Sequence, residues 1–246
     1  MISSIKNRRT IRKYKQTDIP LTLINELLET AAKASTTGNM QLYSVIVTKD
    51  AAKKAELAPP HFNQPQITNA PVVLTFCADY NRFNKWCEQR KAVPGYDNFQ
   101  SFMTGAIDTM LLAQNFATLA EEEGLGLCFL GTTTYNAPQI SKTLNLPKFV
   151  VPITTITVGY PDETPEQSDR IAVEGFVHNE TYKDYTEADI DRIFTPKEEL
   201  AVNQKFVEIN QKETLAQIFT DIRYTKKDGD YFSKIYWDYI KESFGF

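Results

Sequence analysis

The chain has 246 residues and a formal net charge of −4, and its content of 42% hydrophobic and 24% charged residues is typical of a globular protein with a sizeable core. The mild acidity disfavours nucleic-acid binding, and the apolar stretches are far shorter than the roughly 20 residues of a membrane helix. Three cysteines and two histidines are too few for a disulfide framework or a histidine-based metal site, so we expect a reducing, cytoplasmic setting and no resident metal.

Helices and strands alternate over the first 160 residues. Apolar residues at helical spacing predict an amphipathic helix over residues 21–31, with Asp18 or Thr22 as its cap. A polar segment follows at residues 35–41, and the β-branched run after it predicts a strand over residues 42–48. The same criteria predict strands at residues 71–78, 125–130 and 151–158, and short helices at residues 51–57 and 136–144.

The longest predicted helix covers residues 99–119, and apolar side chains occur nearly all round it. A helix of this kind usually lies inside a molecule. Its apolar surface is wider than one small domain covers, which favours a second subunit as the partner of the remaining face.

The chain changes in character after Pro161. Residues 182–246 contain many charges and aromatic residues, two or three helical patterns and no clear strand, and Thr186 and Asp189 have the spacing of a capping box. We interpret the aromatic stripe on the last helix as a packing surface formed by Tyr231, Phe232, Ile235, Tyr236, Tyr239 and Ile240. The prediction is an α+β domain over residues 1–180 with a helical C-terminal extension over residues 181–246.

Signatures of side-chain catalysis are absent: the chain has no G-x-S-x-G elbow, Walker loop, H-E-x-x-H motif or G-x-G-x-x-G fingerprint. Cys128 lies in an apolar strand and is interpreted as a buried small residue rather than a nucleophile. Arg8, Arg9 and Arg12 place three guanidinium groups in one short segment. An anion such as a phosphate would relieve their repulsion, although a solvated basic turn explains the segment equally well.

Five motifs, in order, resemble the FMN-dependent nitroreductase family, most closely its larger members that reduce flavins and nitro compounds with NAD(P)H. Arg170 matches a late basic position of that family. The motifs are R-R-T-I-R-K-Y (8–14), A-S-T-T-G-N-M-Q (34–41), Gln64 followed by N-A-P-V-V-L-T-F-C-A-D-Y-N-R (69–82), G-A-I-D-T-M-L-L-A-Q-N (105–115) and G-L-G-L-C-F-L-G (124–131).

The resemblance implies a central, mostly antiparallel sheet flanked by helices, and an intertwined homodimer with FMN in a cleft held by both chains. It implies that Arg12 faces the pyrimidine edge of the flavin, where a cation favours the reduced state. Gln64 would form a hydrogen bond with the polar side of the flavin. The remaining residues that match cofactor-binding positions are Arg8, Thr10 and Arg170 at the phosphate, with Arg9 next to Arg8 and Ser168 two residues before Arg170, Ser35, Thr36, Thr37 and Asn39 from the partner subunit, and Phe129, Leu130 and Gly131 along the other edge of the ring.

Two departures from the family concern the phosphate. Thr10 replaces the more usual serine and keeps the hydroxyl, whereas Ser168 stands where close relatives have a lysine. The missing cation is expected to weaken FMN binding by about 1–3 kcal/mol.

The resemblance further implies that hydride passes from NAD(P)H through FMN to small electrophiles (nitroaromatics, quinones or free flavins) by a ping-pong mechanism. Residues 205–212 match the loop that supplies arginines for the NADPH 2′-phosphate, but Phe206 and Gln211 occupy two of those positions, so NADH is expected to serve at least comparably. Two alternatives stay open. One is a flavin-binding or flavin-delivery protein without a dedicated substrate, and the other is a structural dimer whose basic segment is merely surface.

Overall fold

The computed structural model describes residues 3–246, so the first two residues of the predicted domain lie outside the described residues. None of the described helices is both long and apolar enough to cross a membrane. The chain divides into two compact units, one formed by the residues up to Gln167 together with Phe232–Phe246, and the other by Ser168–Tyr231. The boundary predicted at residue 180 separates an FMN-binding region from a helical extension of the same domain. The division into two compact units does not test that boundary, which stays a prediction.

A four-stranded sheet forms the centre of the first unit. Its strands pair in the order β1-β2-β4-β3, and every pair is antiparallel. The predicted strands are confirmed to within two residues at each end: β1 is Tyr43–Thr48, β2 is Val72–Asp79, β3 is Gly126–Leu130 and β4 is Val150–Gly159. The two central strands, β2 and β4, are buried along nearly their whole length, which accounts for their apolar, β-branched sequences.

Helices surround this sheet, and the described part of the first unit begins with α1 (Ser3–Asn7). The predicted helices correspond to α2 (Leu21–Ala31), α3 (Ala51–Leu57), α6 (Phe99–Glu122) and α8 (Ala137–Leu144). The predicted side-chain cap of α2 is wrong, because Pro20 takes that position and makes no capping bond. The other helices of the first unit are α4 (Pro65–Asn69), α5 (Asn81–Gln89) and α7 (Thr132–Tyr135). The second unit contains α9 (Glu187–Glu198), α10 (Ala201–Ile209) and α11 (Leu215–Ile218), and α12 (Lys226–Phe244) begins in the second unit and ends in the first.

Helix α6 packs on the sheet with one face only. Leu112 and Phe116 are buried, and the Phe116 ring lies 5.8 Å from that of Phe76 on β2. The other face carries Met103, Ile107, Met110 and Leu111, which are 36–54% exposed. The expectation that this helix lies inside the molecule therefore holds for one face, and the exposed stripe remains without cover in the single chain.

The end of α12 returns to the first unit, where Tyr236, Tyr239 and Ile240 of the predicted aromatic stripe pack as expected, whereas Tyr231 is 62% exposed. Ile240 and Phe244 are buried in a cluster with Tyr80 and Phe102. The Tyr236 hydroxyl donates to the carbonyl of Pro152 on β4 over 3.4 Å. In the second unit, Thr186 and Asp189 form the predicted capping box at the start of α9.

Residues 8–14 form a strap along β3. The backbone N–H of Ile11 donates to the Leu127 carbonyl over 3.0 Å, and the Tyr14 hydroxyl donates to the Ile11 carbonyl over 2.6 Å. Gly126 permits this approach, because a Cβ atom built there would lie 2.7 Å from the Ile11 side chain. The strap thereby fixes the cationic segment beside the strand.

A buried histidine joins two turns at the end of the sheet. The Nδ1 atom of His61 lies 2.7 Å from the hydroxyl of Thr132, and its Nε2 atom has no hydrogen-bond partner among the described residues. Burial disfavours the charged imidazole and lowers the pKa of His61 to about 4. The neutral ring thus holds the turn before Gln64 against the turn after β3.

The lowered pKa of His61 predicts a loss of stability in mild acid. Between its ordinary pKa of 6.5 and its folded value of about 4, the unfolded chain binds more protons than the folded chain, so stability falls as the pH falls. At about 1.4 kcal/mol per pKa unit, wild-type protein should lose about 2 kcal/mol more than His61→Gln between pH 7 and pH 5. Free energies of unfolding from urea titrations measure this, and equal losses in the two proteins would contradict it.

Candidate functional site

Arg8 and Arg9 of the strap border a cleft of about 310 Å³. Two acidic side chains also line it, but each already has a partner. The Glu121 carboxylate lies 3.4 Å from the Arg8 guanidinium, and Glu163 accepts the backbone N–H groups of Arg12 and Lys13 over 2.6 and 3.0 Å. Burial raises the pKa of Glu121, and Arg8 opposes that rise. Sequence reasoning missed both acidic residues because their partners are distant in the chain.

Arg9 is the cation of this cleft whose charge is not compensated among the described residues. Its Nε atom is buried without a hydrogen-bond partner there, and its Nη1 atom donates only to the Asn7 carbonyl, over 3.2 Å. A buried guanidinium nitrogen without a partner is costly unless an anion completes its hydrogen bonds. The site therefore has the donor chemistry that a phosphate requires, which favours the phosphate interpretation of the segment over the solvated turn.

Arg12 points its charge toward β3. Its side chain is exposed, yet it lies near enough to Cys128 to act on that thiol. Burial raises the pKa of Cys128, while Arg12 and Arg8 oppose the rise. Cys128 is only 3% exposed, which confirms it as a buried residue of the strand. Thr10 lies between these cations and is half-buried.

The predicted residues at the end of β3 lie beside the turn that contains Gln64. Phe129 is half-buried, Leu130 is buried and Gly131 is exposed where α7 begins. The Asn136 amide donates to the Pro60 carbonyl over 2.7 Å and adds to the bond between His61 and Thr132. Gln64 and Gly131 are thus brought to neighbouring turns. The Gln64 side-chain oxygen accepts from Gln66 over 2.7 Å, which orients its amide.

Residues 35–41 form a polar loop held by α6. The Thr36 hydroxyl donates to the Asp108 carboxylate, and the Thr37 backbone N–H and hydroxyl donate to the same group over 3.0 and 3.2 Å. Asp108 thus engages both hydroxyls in the single chain, and their cofactor contacts stay a prediction. Ser35 and Asn39 are exposed and remain available to a ligand. The sequence signal for Asp108 was an acidic residue within an otherwise apolar helical pattern.

Ser168 and Arg170 belong to the second unit, so their predicted meeting with Arg8 stays a prediction. Both residues are exposed. The Arg170 guanidinium donates to the carbonyls of Ser168 and Asp169 over 3.3 and 2.7 Å. These bonds are local, and they hold the cation at the surface of its own unit.

The loop compared with the NADPH site is also part of the second unit. Residues 205–212 contain two lysines, Lys205 and Lys212. Lys212 forms an ion pair with Asp221 at 2.8 Å, which offsets one of these two positive charges. The guanidinium of Arg223 lies over the Phe206 ring, 4.4 Å from its centre. Arg223 is thus a cation beside a position where sequence reasoning found only Phe206.

Comparisons with known proteins agree with this geometry. Residues 5–160 match the model of the nitroreductase family. An FMN reductase (NADPH) of Bacillus subtilis is 31% identical over 183 residues, which cover 74% of each chain.

Two solved structures have the same fold. A Bacteroides fragilis protein, provisionally described as an oxidoreductase, is 58% identical, with a TM-score of 0.97 over 98% of both chains. The NfrA1 nitroreductase of Bacillus subtilis is 27% identical, with a TM-score of 0.86 over 99% of this chain and 98% of that one. The predicted nitroreductase-like α+β fold is confirmed, and the chain belongs to the nitroreductase family.

Proposed function

We propose that this protein is an FMN-dependent oxidoreductase that uses NAD(P)H to reduce small electrophiles such as nitroaromatics, quinones or free flavins. The observation that carries the proposal is the uncompensated guanidinium of Arg9 in the cleft beside β3. Family membership supports it, as does a Bacillus subtilis relative named for FMN reduction with NADPH.

The residues present fit FMN. Arg9 and Arg8 offer charged donors to its phosphate, Gln64 and Gly131 lie on neighbouring turns at the end of β3, and Arg12 stands beside that strand. When bound, FMN would supply the redox chemistry that links the nicotinamide to an acceptor, and the two would occupy the same face in turn in a ping-pong cycle. Arg12 would hold a fixed positive charge near the pyrimidine edge, where reduction adds negative charge.

The exposed stripe of α6 supports a homodimer. Met103, Ile107, Met110 and Leu111 leave a row of large apolar side chains on a helix whose opposite face is already packed on the sheet. Stable subunit interfaces cover surfaces of this kind. In a dimer, the exposed Ser35 and Asn39 of one subunit would meet the FMN of the other, as the resemblance implies.

The proposal predicts that the protein purifies with FMN. Mass spectrometry of the cofactor released by heat should find FMN rather than FAD, and the loaded protein should oxidise NADH or NADPH when a nitroaromatic or quinone is added. A colourless protein that ignores added FMN would overturn the proposal. Bound FMN that no acceptor reoxidises at a useful rate would favour flavin delivery.

The dimer predicts that light scattering gives twice the 28.1 kDa chain mass at dilute concentration. Leu111→Glu places a charge in the exposed stripe and should yield monomer, because a buried interface does not accept an unpaired carboxylate. Leu21→Glu is the matched control, since Leu21 on α2 is also half-exposed, at 51% against 45% for Leu111. Monomeric wild-type protein that retains FMN would contradict the dimer.

Different roles for two arginines predict different defects. Arg12→Ala should lower the two-electron potential of the bound flavin and slow its reduction, because the cation near the pyrimidine edge is lost. Arg170→Ala should mainly weaken FMN binding. Spectroelectrochemistry, stopped-flow reduction and FMN titration separate these effects, and a change of affinity alone in both variants would contradict the role given to Arg12.

The second unit predicts that NADH is used at least comparably to NADPH. Few free cations remain for a 2′-phosphate, because two matching positions hold Phe206 and Gln211 and Lys212 is paired with Asp221. The missing contacts should cost about 2–4 kcal/mol of selectivity for NADPH over NADH. Values of kcat/KM for both donors at one ionic strength measure this. A hundredfold preference for NADPH would contradict this prediction. If Arg223→Ala abolished that preference, the result would show that Arg223 moves away from the Phe206 ring and binds the 2′-phosphate itself.

A further inference from the structure

Asp108 is a buried carboxylate that the proposed chemistry does not use. It lies in the middle of α6 and is 1% exposed. Its oxygens accept the Thr36 hydroxyl, the Thr37 backbone N–H and hydroxyl, and the Leu42 backbone N–H, the last over 3.4 Å. One side chain thus receives donors from both ends of the 35–41 loop, while most of its neighbours on α6 are apolar or small.

The loop needs such an anchor because its backbone is strained. Gly38, Asn39 and Gln41 have φ angles of +55°, +56° and +53°. Left-handed backbone at residues other than glycine costs free energy and persists only where surrounding contacts impose it. The Thr36 hydroxyl also accepts the Gln41 N–H over 3.0 Å, so the bond to Asp108 orients the hydroxyl that closes the loop.

Further bonds fix the ends of the loop to the same framework. Asn115, also on α6, donates to the Ala31 carbonyl over 3.1 Å at the end of α2. Arg82 donates to the carbonyl of Gln41 at the end of the loop and to that of Tyr43 at the start of β1. The loop is therefore attached to the same helix that carries the exposed stripe.

We propose that Asp108 is a positioning residue that holds the 35–41 loop in the shape in which Ser35, Gly38 and Asn39 meet FMN. This inference rests on the proposed function. Asp108 binds the Thr36 and Thr37 hydroxyls and leaves Ser35 and Asn39 exposed. Since the same helix carries the proposed dimer contact, the anchor also fixes the loop relative to the partner subunit's cofactor.

The test compares Asp108→Asn with Phe116→Leu in the full-length protein. The amide keeps the size of the carboxylate but presents an NH₂ group to donors, so the loop should loosen. Phe116→Leu keeps an apolar side chain between α6 and the sheet, so the helix stays packed there without any change at the loop, and the smaller side chain makes it the control for lost stability. Asp108→Asn should raise the Kd for FMN at least tenfold, whereas Phe116→Leu should change it less than threefold.

Hydrogen exchange of the FMN-free proteins gives the second readout. The amides of Thr37, Gln41 and Leu42 should exchange at least tenfold faster in Asp108→Asn than in wild type or Phe116→Leu. If Asp108→Asn does not fold, Thr36→Val should show the same exchange and affinity defects, and Thr36→Ser should restore both.

The two readouts separate the outcomes. Unchanged exchange in Asp108→Asn, or faster exchange with unchanged FMN affinity, would overturn the positioning role. If wild-type protein binds no FMN, the proposed function fails and the positioning of FMN ligands fails with it, while the exchange rates still decide whether Asp108 anchors the loop.

Discussion

The packing of α6 on the sheet is the contact on which the site depends. Phe116 and Leu112 fill the space above β2, and burying a side chain of this size contributes about 1.5–3 kcal/mol. Once that face is fixed, the rest of the helix has a defined orientation. One flank presents Asp108 to the polar loop, and the outer face presents the exposed stripe. A single long helix thus sets both the shape of a candidate ligand loop and the surface offered to a second subunit.

Two arginines of the strap line the cleft, and among the described residues only Arg8 has an acidic partner, so Arg9 is left uncompensated. Glu121 partners Arg8, and Glu163 is engaged by backbone N–H groups, which fixes the strap without neutralising Arg9. Buried polar groups normally have a hydrogen-bond partner. The Nε atom of Arg9 has none among the described residues, so its place beside the cleft points to an anionic ligand. This arrangement gives a mildly acidic chain a local excess of positive charge, to which we propose an anion binds.

The turns at the end of β3 depend on polar groups that are distant in sequence. His61 stays neutral because it is buried, and it joins Thr132, while Asn136 reaches the Pro60 carbonyl. These bonds place Gln64 and Gly131 on neighbouring turns. The family's chemistry needs few catalytic side chains, since a flavin supplies the reactive atoms, and the protein's contribution is to position donors and charges.

The sequence by itself determined the elements and the order of the candidate motifs, because apolar periodicity and β-branched runs are local signals that survive in a single chain. It predicted the strands and the helix that became α6, and it singled out Arg8, Arg9 and Arg12. Only the tertiary structure decided which charges are compensated. The bonds of Asp108 to Thr36 and of Glu163 to Arg12 span 72 and 151 positions, and no local pattern specifies such pairs. Burial and hydrogen bonding between distant segments, rather than residue type, made Arg9 a candidate donor to a bound phosphate and Asp108 the anchor of the 35–41 loop.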